Sequence, residues 1–307
     1  MERKNFIKQS VLAGAAALSA PSLFVRSKKA IDEYADKTFN MNYSFHDGMF
    51  SNSAGNDFID QIKFAHDKGF RGIEDNGMMS RTPEMQQKIG DTLSKLGMQM
   101  GVFVITSNNW HWSISLTSGK KEFSDMMEKD CKEAINVAKR CGAKWMTVVP
   151  GNYERSLSFD MQTANVITAL RKAADILEPA GLTMVLEPLS DNPDLFLRHS
   201  HQTYMICKAV KSSACKILYD IYHMQRNEGD LMKNIDKCWE EIAYIQIGDN
   251  PGRKEPTTGE INYKTLFKHI YNKGYKGIMG MEHGMAGKGA EGELALIKAY
   301  REVDAFL

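Results

Sequence analysis

Long apolar runs are scarce in this 307-residue chain. Beyond residue 26 nothing approaches the roughly 20 consecutive apolar residues that a membrane-spanning helix requires. Charge of one sign is lacking as well: 39 Lys and Arg stand against 38 Asp and Glu, a formal net charge of +1. Without a basic excess there is no electrostatic footprint for nucleic acid. The chain has five cysteines, an odd number whose spacings match no zinc pattern, and a disulfide framework is out of place in a domain this large. They read as buried free thiols, all but Cys215 on predicted helices. A glycine-rich nucleotide turn after the first strand is also missing. The fragment at 284–289, Gly-Met-Ala-Gly-Lys-Gly, lacks the spacing of a phosphate loop and follows the last predicted strand.

The first 26 residues are of a different kind. A basic start (Arg3, Lys4, Lys8) leads into a mild apolar run at 11–20, with small residues around Ala17 to Ala20 suited to cleavage. This reads as an export signal, too short to span a membrane. Residues 3–8 resemble a twin-arginine signal with lysine in place of the second arginine. On this reading the protein is exported to the periplasm; an unprocessed hydrophobic tail is the alternative. Residues 27–38 form a polar linker, and 39–307 form one domain with no further linker.

Within that domain short apolar segments alternate with amphipathic ones. The pattern predicts strands at 39–45, 70–74, 98–105, 145–149, 183–186, 217–220, 242–247 and 277–281. Helices are predicted at 57–68, 83–96, 122–141, 163–178, 201–210, 231–240, 266–272 and 293–306. Glycines at 69, 97, 142, 181 and 274 stop helices just ahead of strands, the expected C-terminal signal. Eight strand–helix units in about 270 residues predict an α/β fold, a (β/α)8 TIM barrel. The 19 methionines fall mostly inside apolar runs and read as core filling.

In such a barrel, chemistry gathers at the C-terminal ends of the strands. Four consecutive predicted strands each bring an oxygen donor there: Glu187, Asp220, Gln246 and Glu282. Converging carboxylates repel unless a cation lies among them, and oxygen donors favour Mg²⁺ or Mn²⁺ over zinc. Each residue also has a plainer reading. A strand-end glutamate often caps a helix or pairs with lysine, Gln246 can hydrogen-bond inside the barrel, and His223 can be a satisfied core histidine. The combination on neighbouring strands favours a divalent metal site.

The runs Asp220-Ile221-Tyr222-His223-Met224-Gln225-Arg226 and Ile245-Gln246-Ile247-Gly248-Asp249-Asn250-Pro251-Gly252-Arg253 resemble the hydroxypyruvate isomerase family of the xylose isomerase-like barrels. The resemblance is dense from Glu187 to Glu282 and collinear from Asn42. It implies that Glu187, Asp220, Gln246 and Glu282 hold the metal, and that His223 and Arg253 contact substrate oxygens. It also implies an intramolecular oxidoreductase in which Glu187 and Glu282 act as base and acid through an enediolate, turning hydroxypyruvate into tartronate semialdehyde. Trp110, Trp112 and Tyr222 are expected to wall the pocket against water. Two departures bear on substrate choice: Leu189-Ser190 follows Glu187-Pro188 where the family has Ile-Asn, and His283 replaces an aromatic. The implied partner is a small keto acid or sugar, and a homo-oligomer is compatible with the sequence. Alternatives are an isomerase or ketose 3-epimerase of larger sugars, or, in another class, a metal-dependent phosphodiester hydrolase or non-catalytic sugar-binding relative. The hydrolase needs more histidine ligands than eight scattered residues readily supply, together with a basic groove.

Overall fold

The computed structural model describes residues 38–105 and 115–307. The predicted export signal, nearly all of the predicted linker, and Trp110 and Trp112 lie outside the described residues. The strands are β1 (Asn42–His46), β2 (Gly72–Glu74), β3 (Gln99–Met100 and Val102–Val104, interrupted at Gly101), β4 (Trp145–Val148), β5 (Thr183–Leu186), β6 (Cys215–Asp220), β7 (Ile242–Gln246) and β8 (Ile278–Gly280). Every neighbouring pair is parallel, and β8 pairs with β1. The first half of β3 bonds to β2 and the second half to β4, so the broken strand closes the cylinder. The predicted (β/α)8 barrel is the observed fold. Gly101 at the break is forced by crowding: a Cβ there would run into the Tyr244 hydroxyl and the Ile73 carbonyl.

Helices surround the sheet: α1 (Ser51–Ala54), α2 (Phe58–Asp67), α3 (Pro83–Leu96), α4 (Lys121–Cys141), α5 (Phe159–Leu177), α6 (Ser200–Val210), α7 (Ile221–Asn227), α8 (Leu231–Cys238), α9 (Tyr263–Asn272) and α10 (Gly289–Asp304). Their boundaries follow local chemistry. Thr82 caps α3 by accepting from the Met85 amide at 3.3 Å, with Pro83 as the first helical residue. Gly97 ends it at φ 63°, a left-handed conformation that glycine adopts without a Cβ clash. None of the described helices is long and apolar enough to cross a membrane. All five cysteines are buried free thiols, four in helices and Cys215 in β6.

The core has two layers. Val102, Val185, Leu218, Tyr244 and Ile278 meet inside the barrel, with Trp145 against them. A much larger layer fills the space between sheet and helices. There Tyr43 packs edge-on against Tyr300, ring centroids 4.8 Å apart. The last helix is tied to the first strand at this point: Asp304 accepts the Tyr43 hydroxyl at 2.8 Å and the backbone amides of Asn40 and Met41.

This layering positions the site. Side chains in a strand alternate faces, so a residue two positions beyond an interior one also points inward. Two positions beyond Ser44, Gly72, Val185, Leu218, Tyr244 and Gly280 stand His46, Glu74, Glu187, Asp220, Gln246 and Glu282. All six fall at the C-terminal rim.

Candidate metal centre at the barrel mouth

Glu187, Asp220, His223 and Glu282 each offer a ligand atom, and these atoms lie within 4.8 Å of one another. Asp220 ends β6 and caps α7, accepting from the amides of Tyr222 at 2.8 Å and His223 at 3.4 Å. The first turn of α7 therefore swings His223 back over the carboxylate that starts it, 3.4 Å from Nε2 to Oδ2. α7 has only seven residues, too few to show a helical period, and the sequence reading did not include it.

Three buried carboxylates crowd together, and their acidities record it. Burial and the neighbouring charges of Glu282 and Asp220 push Glu187 well above the usual carboxylate range. Burial lifts Asp220 to about 6, opposed by Arg253 and the two capping amides. Glu282 is raised for the same reason, again opposed by Arg253. Among the described residues Arg253 is the guanidinium that answers this charge. Its Nη2 stands 2.7 Å from Glu282 Oε2 and 3.3 Å from Asp220 Oδ2, while Nε donates to the Glu282 carbonyl at 3.2 Å. The substrate clamp expected of Arg253 is thus engaged with the cluster itself. Tyr222 lies beneath it, the guanidinium carbon 5.0 Å from the ring centroid, and its hydroxyl accepts from Arg226 at 3.2 Å. Tyr222 thus supports Arg253.

His223 meets an obligate donor at each ring nitrogen. The Ser190 backbone amide can only donate, and it reaches Nδ1 at 3.2 Å; the Ser190 hydroxyl adds a contact of 2.8 Å. The Arg253 guanidinium, which also can only donate, stands 3.1 Å from Nε2. Burial, then Arg253, depress the His223 pKa to about 4, so the ring is neutral at ordinary pH.

Gln246 sits in register between Asp220 and Gly280. Its Nε2 donates to Glu74 Oε2 at 3.2 Å, and its buried Oε1 has no hydrogen-bond partner among the described residues. Glu187 Oε1 is likewise buried and unpartnered. Unfilled buried acceptors are costly, of order 1–3 kcal/mol each. The free oxygens of Gln246 and Glu187, together with Asp220 and Glu282, make a donor set that fits a hard divalent cation.

Several residues here were not anticipated. Glu74 closes β2 as a fully buried carboxylate, with His46 Nε2 2.7 Å from its Oε2. Asn76 donates to Glu282 Oε1 at 3.1 Å, and Asp191 Oδ2 stands 3.8 Å from His223 Nε2. The available signal was strand phase: Glu74 ends its predicted strand as Glu187 and Asp220 end theirs. His283, one residue out of phase, turns away from the site. Its Nδ1 faces the Gly284 carbonyl at 2.8 Å and its Nε2 the Tyr300 hydroxyl at 2.7 Å, so this departure from the family lies against α10. Asp249 and Glu255 shape the loop after β7. Asp249 accepts the amides of Asn250, Gly259 and Ile261, and Glu255 accepts that of Ala286.

Comparison with known proteins points the same way. A family model described as xylose isomerase-like TIM barrel matches residues 62–300. Hydroxypyruvate isomerase of Escherichia coli (strain K12) is 31% identical over 233 residues, covering 74% of this chain and 88% of that protein. 2-Oxo-tetronate isomerase of Haemophilus influenzae is 26% identical over 240 residues, covering 76% and 91%. Among solved structures, AP endonuclease, family 2 from Brucella melitensis has a TM-score of 0.69 at 24% identity, covering 82% of this chain and 96% of that one; this likeness is one of fold alone.

Proposed function

Because the chain belongs to the xylose isomerase-like TIM barrel family, we propose that it is a divalent-cation-dependent isomerase of small 2-keto acids, interconverting hydroxypyruvate and tartronate semialdehyde. The observation that carries this reading is the placement of Glu187 and Glu282 on one cluster with Asp220. Burial raises the pKa of both glutamates, which suits proton exchange with carbon near neutral pH. Glu187, Asp220, Glu282 and the free amide oxygen of Gln246 would hold Mg²⁺ or Mn²⁺. Bound there, the cation supplies Lewis acidity toward the substrate carbonyl and adjacent hydroxyl.

The chain's own groups carry the proton traffic. One glutamate takes the proton from C3 of hydroxypyruvate, leaving an enediolate, and the other returns a proton to C2. The hydroxyl proton moves from O3 to O2, with the Nε2 proton of His223 steadying the oxygen that bears charge. Arg253 keeps Asp220 and Glu282 in place, and its positive charge favours the carboxylate of a keto acid. The similarity to E. coli hydroxypyruvate isomerase supports the substrate.

In D₂O, turnover of hydroxypyruvate with Mn²⁺ is expected to place solvent deuterium in the product, followed by NMR. A product free of deuterium would replace the enediolate with a hydride shift. Glu282→Gln is expected to cost about 10²–10⁴-fold in kcat with an unchanged circular dichroism spectrum; retained activity would remove Glu282 from the acid–base pair.

A second reading is a longer substrate, a four-carbon 2-oxo acid or a ketose. It is favoured by the 2-oxo-tetronate isomerase relatives and by Ser190, which stands against His223 in the wall. A panel of hydroxypyruvate, 2-oxo-tetronate, ketopentoses and ketohexoses, read by the same deuterium exchange, separates the two. Export to the periplasm is proposed on the first 26 residues. N-terminal sequencing of the protein from a periplasmic fraction should find them removed.

A further inference from the structure

Glu74 is a buried carboxylate at the barrel mouth that the proposed chemistry does not use. It lies wholly inside the barrel at the end of β2, with His46 Nε2 at 2.7 Å and Gln246 Nε2 at 3.2 Å from the same oxygen, Oε2. The room it occupies is reserved for it: a Cβ on Gly280 of β8 would overlap its carboxylate. Three strands thus converge on one acceptor.

An ionised carboxylate accepts hydrogen bonds and donates none. Facing Glu74, the Gln246 amide has one tolerable orientation. The nitrogen must point to Glu74, because the flipped amide would set oxygen against oxygen. The amide oxygen is therefore turned away, which is where the structure leaves it, buried and without a partner. Gln246 lies in register beside Asp220, two strands from β5 and adjacent to β8, on the inward phase it shares with Glu187 and Glu282.

We propose that Glu74 is a positioning residue that holds the Gln246 amide oxygen toward the carboxylate cluster, converting an ambidentate side chain into a dedicated oxygen ligand. His46 in turn holds Glu74. The inference rests on the divalent-cation reading of the site, and it assigns Glu74 no contact with substrate. In Glu74→Met no acceptor faces the Gln246 nitrogen, so the amide is no longer held in one orientation and the oxygen ligand is weakened. In Gln246→Glu two carboxylates face each other at the same spacing. Exchanging the pair, Glu74→Gln with Gln246→Glu, restores one donor facing one acceptor and leaves an oxygen toward the cluster.

The test is Mn²⁺ binding to the purified full chain, measured by electron paramagnetic resonance without substrate, for the wild type, the two single variants and the exchange variant. Melting in EDTA checks that each is folded. Loss of an outer partner of this kind typically weakens metal affinity 10–100-fold, and that loss is expected for both single variants, with the exchange variant within a few-fold of the wild type. Should Glu74→Met fail to fold, recovery in the exchange variant still supports the pairing. Wild-type-like affinity in Glu74→Met, or no recovery in the exchange variant, overturns the role of Glu74. A wild type that binds no Mn²⁺ overturns the cation reading itself.

Discussion

His223 shows how much a single hydrogen-bond direction decides. As one of four potential ligands within 4.8 Å it looks like a metal residue. The amide of Ser190 donates to Nδ1, which in the proposed reaction leaves the neutral ring's proton on Nε2 for a substrate oxygen. Removing the donor while keeping bulk, His223→Phe, is expected to lower kcat/KM by about 10²–10³-fold, the cost of losing a donor to developing negative charge. Ser190→Ala removes the hydroxyl contact and keeps the amide, so the tautomer persists and the expected loss is under about tenfold. Steady-state rates on hydroxypyruvate check both. A Ser190→Ala defect as large as that of His223→Phe would show that the hydroxyl, and not the amide, sets the ring.

At the scale of elements, the loop after β7 carries the geometry. Arg253 sits at φ 48°, a left-handed conformation that costs a non-glycine residue about 1 kcal/mol or more. The Asp249 carboxylate holds the loop in that shape through the amides of Asn250, Gly259 and Ile261. The Arg253 amide itself donates to the Asp249 carbonyl at 2.8 Å. Asp249→Ala leaves three amides without their acceptor and frees Arg253 to relax. The expected result is destabilisation of about 2–4 kcal/mol and a fall in activity at temperatures where the variant remains folded, measured by urea unfolding and initial rates. Unfolding at the wild-type midpoint would show that the loop stands without this carboxylate.

The same elements mark what was legible in the sequence. The (β/α)8 order could be read because each strand is a short apolar run and each helix a longer amphipathic one, separated by glycine stops. α5 begins at Phe159 because Ser158 caps it, accepting from the Met161 amide at 3.3 Å; a start at 163 misses this turn because Phe159 and Met161, 43% and 55% exposed, run against the apolar period. The predicted third strand breaks at Gly101 through crowding with Tyr244 and Ile73, a contact between distant parts of the chain that no local pattern records. Glu187, Asp220 and Glu282 were legible because strand ends fix their position. The orientation of Gln246 was not, since it depends on Glu74 172 residues away.

Considered whole, the molecule balances its charge over the surface and concentrates the imbalance at the mouth of the barrel. The net charge of the chain is +1, yet Glu187, Asp220 and Glu282 face one guanidinium among the described residues, and Glu74 is paired below them with His46. The barrel cannot relieve this by opening, because Asp304 of the last helix ties α10 to the start of β1 and the two halves of β3 close the cylinder. A bound divalent cation should therefore act on global stability as well as on catalysis. By mass action, Mn²⁺ at a hundredfold its dissociation constant adds about 2.7 kcal/mol to the folded state, which for a domain of this size corresponds to a rise of order 5 °C in Tm. EDTA should reverse it, and Glu282→Gln should shrink the rise by removing one donor and one buried charge together. Differential scanning calorimetry of the wild type and this variant, with Mn²⁺ and with EDTA, measures it. A melting temperature indifferent to the cation would mean that Arg253 alone answers the cluster, and the mouth of the barrel would then be an ion-pair network and not a metal centre.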